Sequence, residues 1–206
     1  MSKSDVSNTI CNVKNMKTYL SIIFTLLINT VFEQLANSAS EVGGKYVTYI
    51  RTYESENFIS LANKKNRLYK TKQTYPSDGH HVPDASNLKI NRDRLICLIA
   101  SGFRDAERLR ALDRVDTVIR VVLYLSPEGK PQEVVFNMKR NSTITVQELE
   151  HIERALLRKN AIKGYYLRDR GPDRMLKGSN YIVQPWSFRF EELVRFREVN
   201  INCSDV

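Results

Sequence analysis

The sequence predicts an α+β domain: a small mixed or antiparallel sheet with helices packed on one face, preceded by a short β-rich N-terminal segment. Three observations carry this. Two strand-like runs flank a Pro-x-Gly turn within residues 117–139; an amphipathic helical pattern follows at residues 145–156; and a final aromatic run alternates with polar residues near the C-terminus. A switch between period two and period 3.6 within one short chain is the mark of a sheet covered by helices.

The first element in chain order is a leader. Lys14 and Lys17 precede an apolar run over residues 19–32, and small side chains follow at Ala36, Ser38 and Ser40. This is the charged, apolar and cleavable order of a secretory signal. Cleavage is expected after Ser38 or Ser40, leaving a chain that begins at Ala39 or Glu41 and works outside the cytoplasm, periplasmic or secreted. The run falls short of the roughly 20 apolar residues of a membrane span, so no stable span is expected after cleavage. Met16 reads as a second start. The organisation is therefore 1–40 pre-sequence and signal peptide, 41–88 short-strand segment and loop, and 89–206 the main α+β domain.

Within 41–88, alternation predicts strands near residues 46–52, 58–61 and 68–71, and the Pro, Gly and Asp content of residues 76–84 predicts a loop. Asn91 is placed to cap a helix that buries Leu95, Ile96, Leu98, Ile99 and Phe103, with Gly102 as its stop. A short helical stretch at residues 106–112 leads into a β-branched strand over residues 117–125. In the turn Ser126-Pro127-Glu128-Gly129-Lys130, proline presets the first dihedral and Gly129 takes a positive φ. The returning strand puts Val134, Phe136 and Met138 on one face and Glu133, Asn137 and Lys139 on the other, with Val135 as the exception. Thr145-Val146-Gln147-Glu148 is a capping box, and Val146, Leu149, Ile152 and Leu156 form the buried stripe of the helix it starts. In the last strand Trp186, Phe188 and Phe190 alternate with Ser187, Arg189 and Glu191, and Pro185 belongs at the strand's start or on a sheet edge.

The formal charge is +9, and losing residues 1–40 removes three lysines against two acids, lowering it by one. Such a balance favours anionic partners. The basic residues are nevertheless interspersed with acids, as in Arg104-Asp105-Ala106-Glu107-Arg108, which describes a solvated helix surface. Aromatic residues on a basic sheet can stack bases, but the same residues read first as core, so nucleic acid is the weaker reading. No nucleophile elbow, zinc helix, phosphate-binding loop or Cys-x-x-Cys pair is present. His80-His81 lacks the further placed ligands of a metal site, and His151 sits on the wet side of its helix, so no cofactor or metal is expected. Cys97 and Cys203 can pair in an oxidising compartment; a buried free thiol at Cys97 is the equal alternative.

From Asn91 to Phe190 the element order resembles the C-terminal domain of TonB-type proteins, the likeness resting mainly on residues 121–134 around the Pro-x-Gly turn. It is also similar to uncharacterised exported proteins of gut Bacteroidota. Residues 159–166 depart from the TonB pattern, and the long proline-rich linker of that family is absent, with six prolines in the whole chain. The resemblance implies a fold and an envelope location, and no energy-transducing role. Two sites are expected. A partner polypeptide in the cell envelope would add to the edge at Trp186, Ser187, Phe188, Arg189 and Phe190. Alternatively, Tyr165, Tyr166, Arg168 and Arg170, in the irregular connection 164–180, would serve a glycan-binding module or hydrolase.

Overall fold

The computed structural model describes residues 41–74, 88–166, 178–199 and 203. The expected leader at 1–40 and the loop at 76–84 lie outside the described residues. In chain order the elements are β1 (Glu41–Gly43), β2 (Thr48–Glu54), β3 (Phe58–Asn63), a 3₁₀ turn (Leu68–Lys70), β4 (Leu88–Lys89), α1 (Arg92–Ser101), α2 (Ala106–Asp113), β5 (Val118–Leu125), β6 (Pro131–Lys139), α3 (Val146–Leu157), β7 (Tyr165–Tyr166), β8 (Ile182–Arg189) and α4 (Phe190–Glu198). Six strands form an antiparallel sheet in the order β1-β2-β3-β6-β5-β8, and β4 pairs with β7 in a separate ladder. The short-strand segment and the C-terminal segment meet in one sheet, because β3 pairs along β6 from Phe58↔Lys139 to Ala62↔Val135.

One face of the sheet is apolar and receives the helices. Ile59, Leu61, Ile119, Val121, Leu123, Val134, Phe136 and Met138 share a core with Leu95 and Ile99 of α1, Leu109 and Leu112 of α2, Leu149 and Ile152 of α3, and Phe190 and Leu193 of α4. The caps fall where the sequence places them. Asn91 accepts from the Arg94 N–H, Asp105 from the Arg108 N–H, and Thr145 with Glu148 closes a full capping box.

Two local expectations are corrected. Residues 68–71 form a 3₁₀ turn instead of a strand, because the Glu133 carboxylate accepts the Arg67 and Leu68 N–H groups at 2.7 and 2.9 Å and so holds the start of a helical turn. The last strand begins earlier and ends earlier than its aromatic alternation implied: it runs from Ile182, and Phe190 already opens α4. Gly102 ends α1 as expected, with φ −71°. A Cβ there would run into the Ile152 side chain and come within 3.1 Å of its backbone nitrogen, so glycine is needed for the approach of α1 to α3. Gly129, in contrast, has the expected positive φ of 76°. It also accepts a 2.8 Å hydrogen bond from the Gly164 N–H, which ties the hairpin to the segment leading into β7.

Candidate functional site

Strand β8 lies at the end of the sheet order, with β5 as its one neighbour among the described residues, while β1 stands at the opposite edge. Its hydrogen-bonding sense follows from one contact beyond its end. The Phe190 N–H donates to the Thr117 carbonyl at 3.0 Å, and the register continues unbroken from Val118↔Arg189 to Leu125↔Ile182. Because an antiparallel ladder alternates inward and outward groups, Phe188, Trp186, Gln184 and Ile182 turn their backbone groups to β5. Val183, Pro185, Ser187 and Arg189 turn theirs away from it. Pro185 thus sits in mid-strand, at an outward position where no β5 carbonyl requires a donor. Among the described residues the edge placement expected from Pro185 holds, and α4 packs among the helices at the core rather than alongside β8.

The side chains of this strand divide by face. Phe188 is fully buried opposite Ile119; Trp186, on the same face, is half-buried opposite Val121, and its indole N–H is buried without a partner among the described residues. The Trp186 and Phe188 rings stack at 6.5 Å between centroids, and the Arg92 guanidinium lies 5.2 Å over Phe188 while pairing with Glu192 at 2.8 Å. Phe190 meets Phe103 edge-on at 5.8 Å. Ser187 and Arg189 are exposed on the other face and line a cleft of about 650 Å³ with Arg92, Ile96, Arg195 and Phe196.

That other face of the sheet is built in rows. Cross-strand register aligns Tyr53, Ser60, Asn137, Arg120 and Ser187 across five strands, every one a hydrogen-bonding side chain. The neighbouring row, Ile50, Ala62, Val135, Val122 and Pro185, is apolar. Tyr53 joins the polar row through a bulge: the β2–β3 register shifts between Arg51 and Tyr53, which turns Tyr53 away from the core. Beyond Ser60, Phe58 pairs with Lys139. Tyr53, Phe58, Ser60, Asn137, Arg120 and Lys139, with Asp116, Thr117 and Val118, line a groove of about 490 Å³.

A buried acidic cluster joins the sheet to α3, and the sequence reading missed it. Glu150 and Glu153 are 2% and 3% exposed. One Glu150 oxygen accepts the Tyr46 and Val47 N–H groups at 2.8 and 2.7 Å, and Glu153 accepts from the Tyr49 hydroxyl and from the Asn63 amide at 3.0 Å. Burial pushes the Glu153 carboxyl above its ordinary value, opposed by the hydrogen bonds from Tyr49 and Asn63. Burial likewise raises the Tyr49 phenol, with Glu153 adding to the effect. The available sequence signal was two acids three apart, interleaved with the apolar stripe of a strongly amphipathic helix. His151, between them, is exposed as expected.

The loop site is described in part. Tyr165 and Tyr166 form β7 against Leu88 and Lys89, with Tyr165 exposed; Arg168 and Arg170 lie outside the described residues, as do His80 and His81. Of the two readings of the cysteines, the structure has the pair: Cys97 on α1 is disulfide-bonded to Cys203, 106 residues away. Among the described residues no three His, Cys, Asp or Glu side chains are placed to share a metal ion, and no helix is long and apolar enough to cross a membrane.

The fold has a counterpart in the Bacteroidota. The crystal structure of a DUF5043 family protein from Bacteroides uniformis matches with a TM-score of 0.57 at 20% identity, over 75% of this chain and 87% of that one. At that identity the likeness is one of fold, and it agrees with the Bacteroidota part of the resemblance drawn from the hairpin. No family model matches the sequence, and no curated protein does.

Proposed function

We propose that this chain is an exported, non-enzymatic binding protein that captures an extended partner polypeptide along the outer edge of β8, in the cell envelope. The observation that carries the reading is the ladder sense of β8. The backbone N–H groups of Val183, Ser187 and Arg189 and the carbonyls of Val183, Pro185, Ser187 and Arg189 point away from β5. An extended chain can pair with such an edge through main-chain hydrogen bonds while its alternate side chains set selectivity. Export is supported by the order of residues 14–40 and by the Cys97–Cys203 disulfide, a bond that persists in oxidising compartments. The resemblance to TonB-type domains supports the envelope setting.

The test is selection of a displayed library of short random peptides on the protein, followed by alternate backbone N-methylation of the enriched sequences. N-methylation on one parity is expected to abolish binding and on the other to spare it. Ser187→Pro removes one outward N–H and is expected to weaken capture at least tenfold while the domain stays folded. If Ser187→Pro unfolds the domain, or binding ignores N-methylation, the edge reading fails. Export is tested by N-terminal sequencing of the expressed protein: a start at Ala39 or Glu41 supports it, and a retained Met16 terminus refutes it.

A further inference from the structure

On the helix-free face, the two strands nearest the β8 edge carry cations and no acid. β5 presents Val118, Arg120, Val122 and Tyr124 there, and β8 presents Val183, Pro185, Ser187 and Arg189. The Arg120 guanidinium leans toward the edge, its Nε donating to Ser187 Oγ at 3.2 Å. Arg189 closes the same strand, and both arginines are exposed, with no ion pair among the described residues. The acid on this face of β6, Glu133, lies opposite Tyr124 at the other end of the ladder and already accepts the Arg67 and Leu68 N–H groups. Around the C-terminal end of β8 the acids are engaged as well. Glu192 pairs with Arg92 at 2.8 Å and Glu191 with Arg195, while Asp93 sits in the first turn of α1, where the helix N–H groups offset it.

An added strand lies about 4.8 Å beyond its neighbour. In the antiparallel sense of the rest of the sheet, a guest residue opposite Ser187 is hydrogen-bonded to it and places its side chain on the helix-free face. That side chain stands beside Ser187 Oγ and within reach of the Arg120 guanidinium, and the one two residues away stands beside Arg189. A carboxylate at either place forms charge-assisted hydrogen bonds with a guanidinium; a cation there is repelled. The intervening guest residue falls on the helix face opposite Phe188, where Arg92 is already neutralised by Glu192. A second copy of this chain fits the edge poorly, because its own β8 holds no acid and brings Pro185 as a second missing donor.

Resting on the β8 reading, we infer that the captured polypeptide is acidic at alternate positions, with one Asp or Glu side chain opposite Ser187 held by Arg120 and another opposite Arg189.

Fluorescence anisotropy tests this with the purified protein, its disulfide intact, and three fluorescein-labelled octapeptides in which threonine alternates with Glu, Gln or Lys. The Glu peptide is expected to bind about fivefold or more tighter than the Gln peptide, and the Lys peptide to bind weakest. Arg120→Gln and Arg189→Gln alter exposed side chains, and each is expected to lower the affinity of the Glu peptide toward that of the Gln peptide. Ser187→Pro acts on the backbone and is expected to weaken the Glu and Gln peptides alike. The inference is overturned if none of the peptides binds, or if the Gln or Lys peptide binds as tightly as the Glu peptide. It also fails if the Glu preference survives both arginine substitutions, which would assign it to the net positive charge at large. A thymidine octanucleotide that binds as tightly as the Glu peptide, and is weakened by the same two substitutions, would assign the cations to nucleic acid instead. Equal binding of the Glu and Gln peptides, lost in Ser187→Pro, leaves the β8 reading standing and refutes the acidic preference alone. Indifference of every peptide to Ser187→Pro refutes the edge itself.

Discussion

Tyr49 on β2 donates its hydroxyl to the Glu153 carboxylate on α3 at 2.5 Å, across 104 residues of sequence. Both groups are buried, and Asn63 donates to the other oxygen of the same carboxylate. This contact fixes the height of α3 over the N-terminal strands, where apolar packing alone would allow sliding. It also puts an ionisable group in the core.

Removing that carboxylate orphans two donors. Glu153→Ala is expected to cost about 2–6 kcal/mol, since each buried polar group left unmatched costs roughly 1–3 kcal/mol. Glu153→Gln keeps an acceptor and is expected to cost less. Urea unfolding of the two variants checks the order, and equal stability of Glu153→Ala and the parent would remove the network from the account.

The pH dependence has a definite sign. Glu153 and Asp116 are both raised by burial, so between the ordinary carboxylate value and the raised one the folded state holds more protons than the unfolded state. Their contribution to stability therefore falls as pH rises through that window and is level above it. The lowered Glu54, Asp105 and Glu128 act in the opposite direction, and only at more acid pH. Stability measured as pH rises from the ordinary carboxylate value is expected to decline in the parent and to decline less in Glu153→Gln; identical slopes would refute the assignment.

Leu149 and Ile152 are fully buried between α3 and the sheet. Truncating either to alanine is expected to cost about 2–5 kcal/mol. Chemical unfolding measures it, and an unchanged midpoint would mean that α3 does not cover the core.

Gly102→Ala tests the approach of α1 to α3. The added methyl meets Ile152, so a loss of about 1–3 kcal/mol is expected from overpacking. Adding Ile152→Val should restore part of it, which a double-mutant cycle would detect as coupling between the two positions.

Cys203→Ser opens a loop spanning 106 residues. Loops of this size are stabilised by as much as about 4.7 kcal/mol when closed, so a fall in the unfolding midpoint of several degrees is expected, matched by the parent under reductant. No difference between oxidised and reduced parent would show that the bridge does not form.

Much of the architecture was legible because it is local. The Asn91 cap, the Thr145 and Glu148 capping box, the Gly129 turn and the apolar stripes of α1, α3, β5 and β6 each depend on residues a few positions apart, where period and cap chemistry speak directly. The placement of Pro185 on an edge was also readable, since a missing N–H constrains a strand from within.

Only the tertiary structure decided what depends on distant partners. Residues 68–70 coil into a 3₁₀ turn because Glu133, on another strand, supplies the acceptor. Gly102 is required by Ile152 rather than by its own dihedrals, and Glu150 and Glu153 are core residues because β2, β3 and the 44–47 turn bring donors to them. The row from Tyr53 to Ser187 exists only once five strands pair in register. A strand's sequence states which residues share a face. Its neighbours and their offset are set by pairing energies summed over the whole sheet, and sites assembled across strands follow from those.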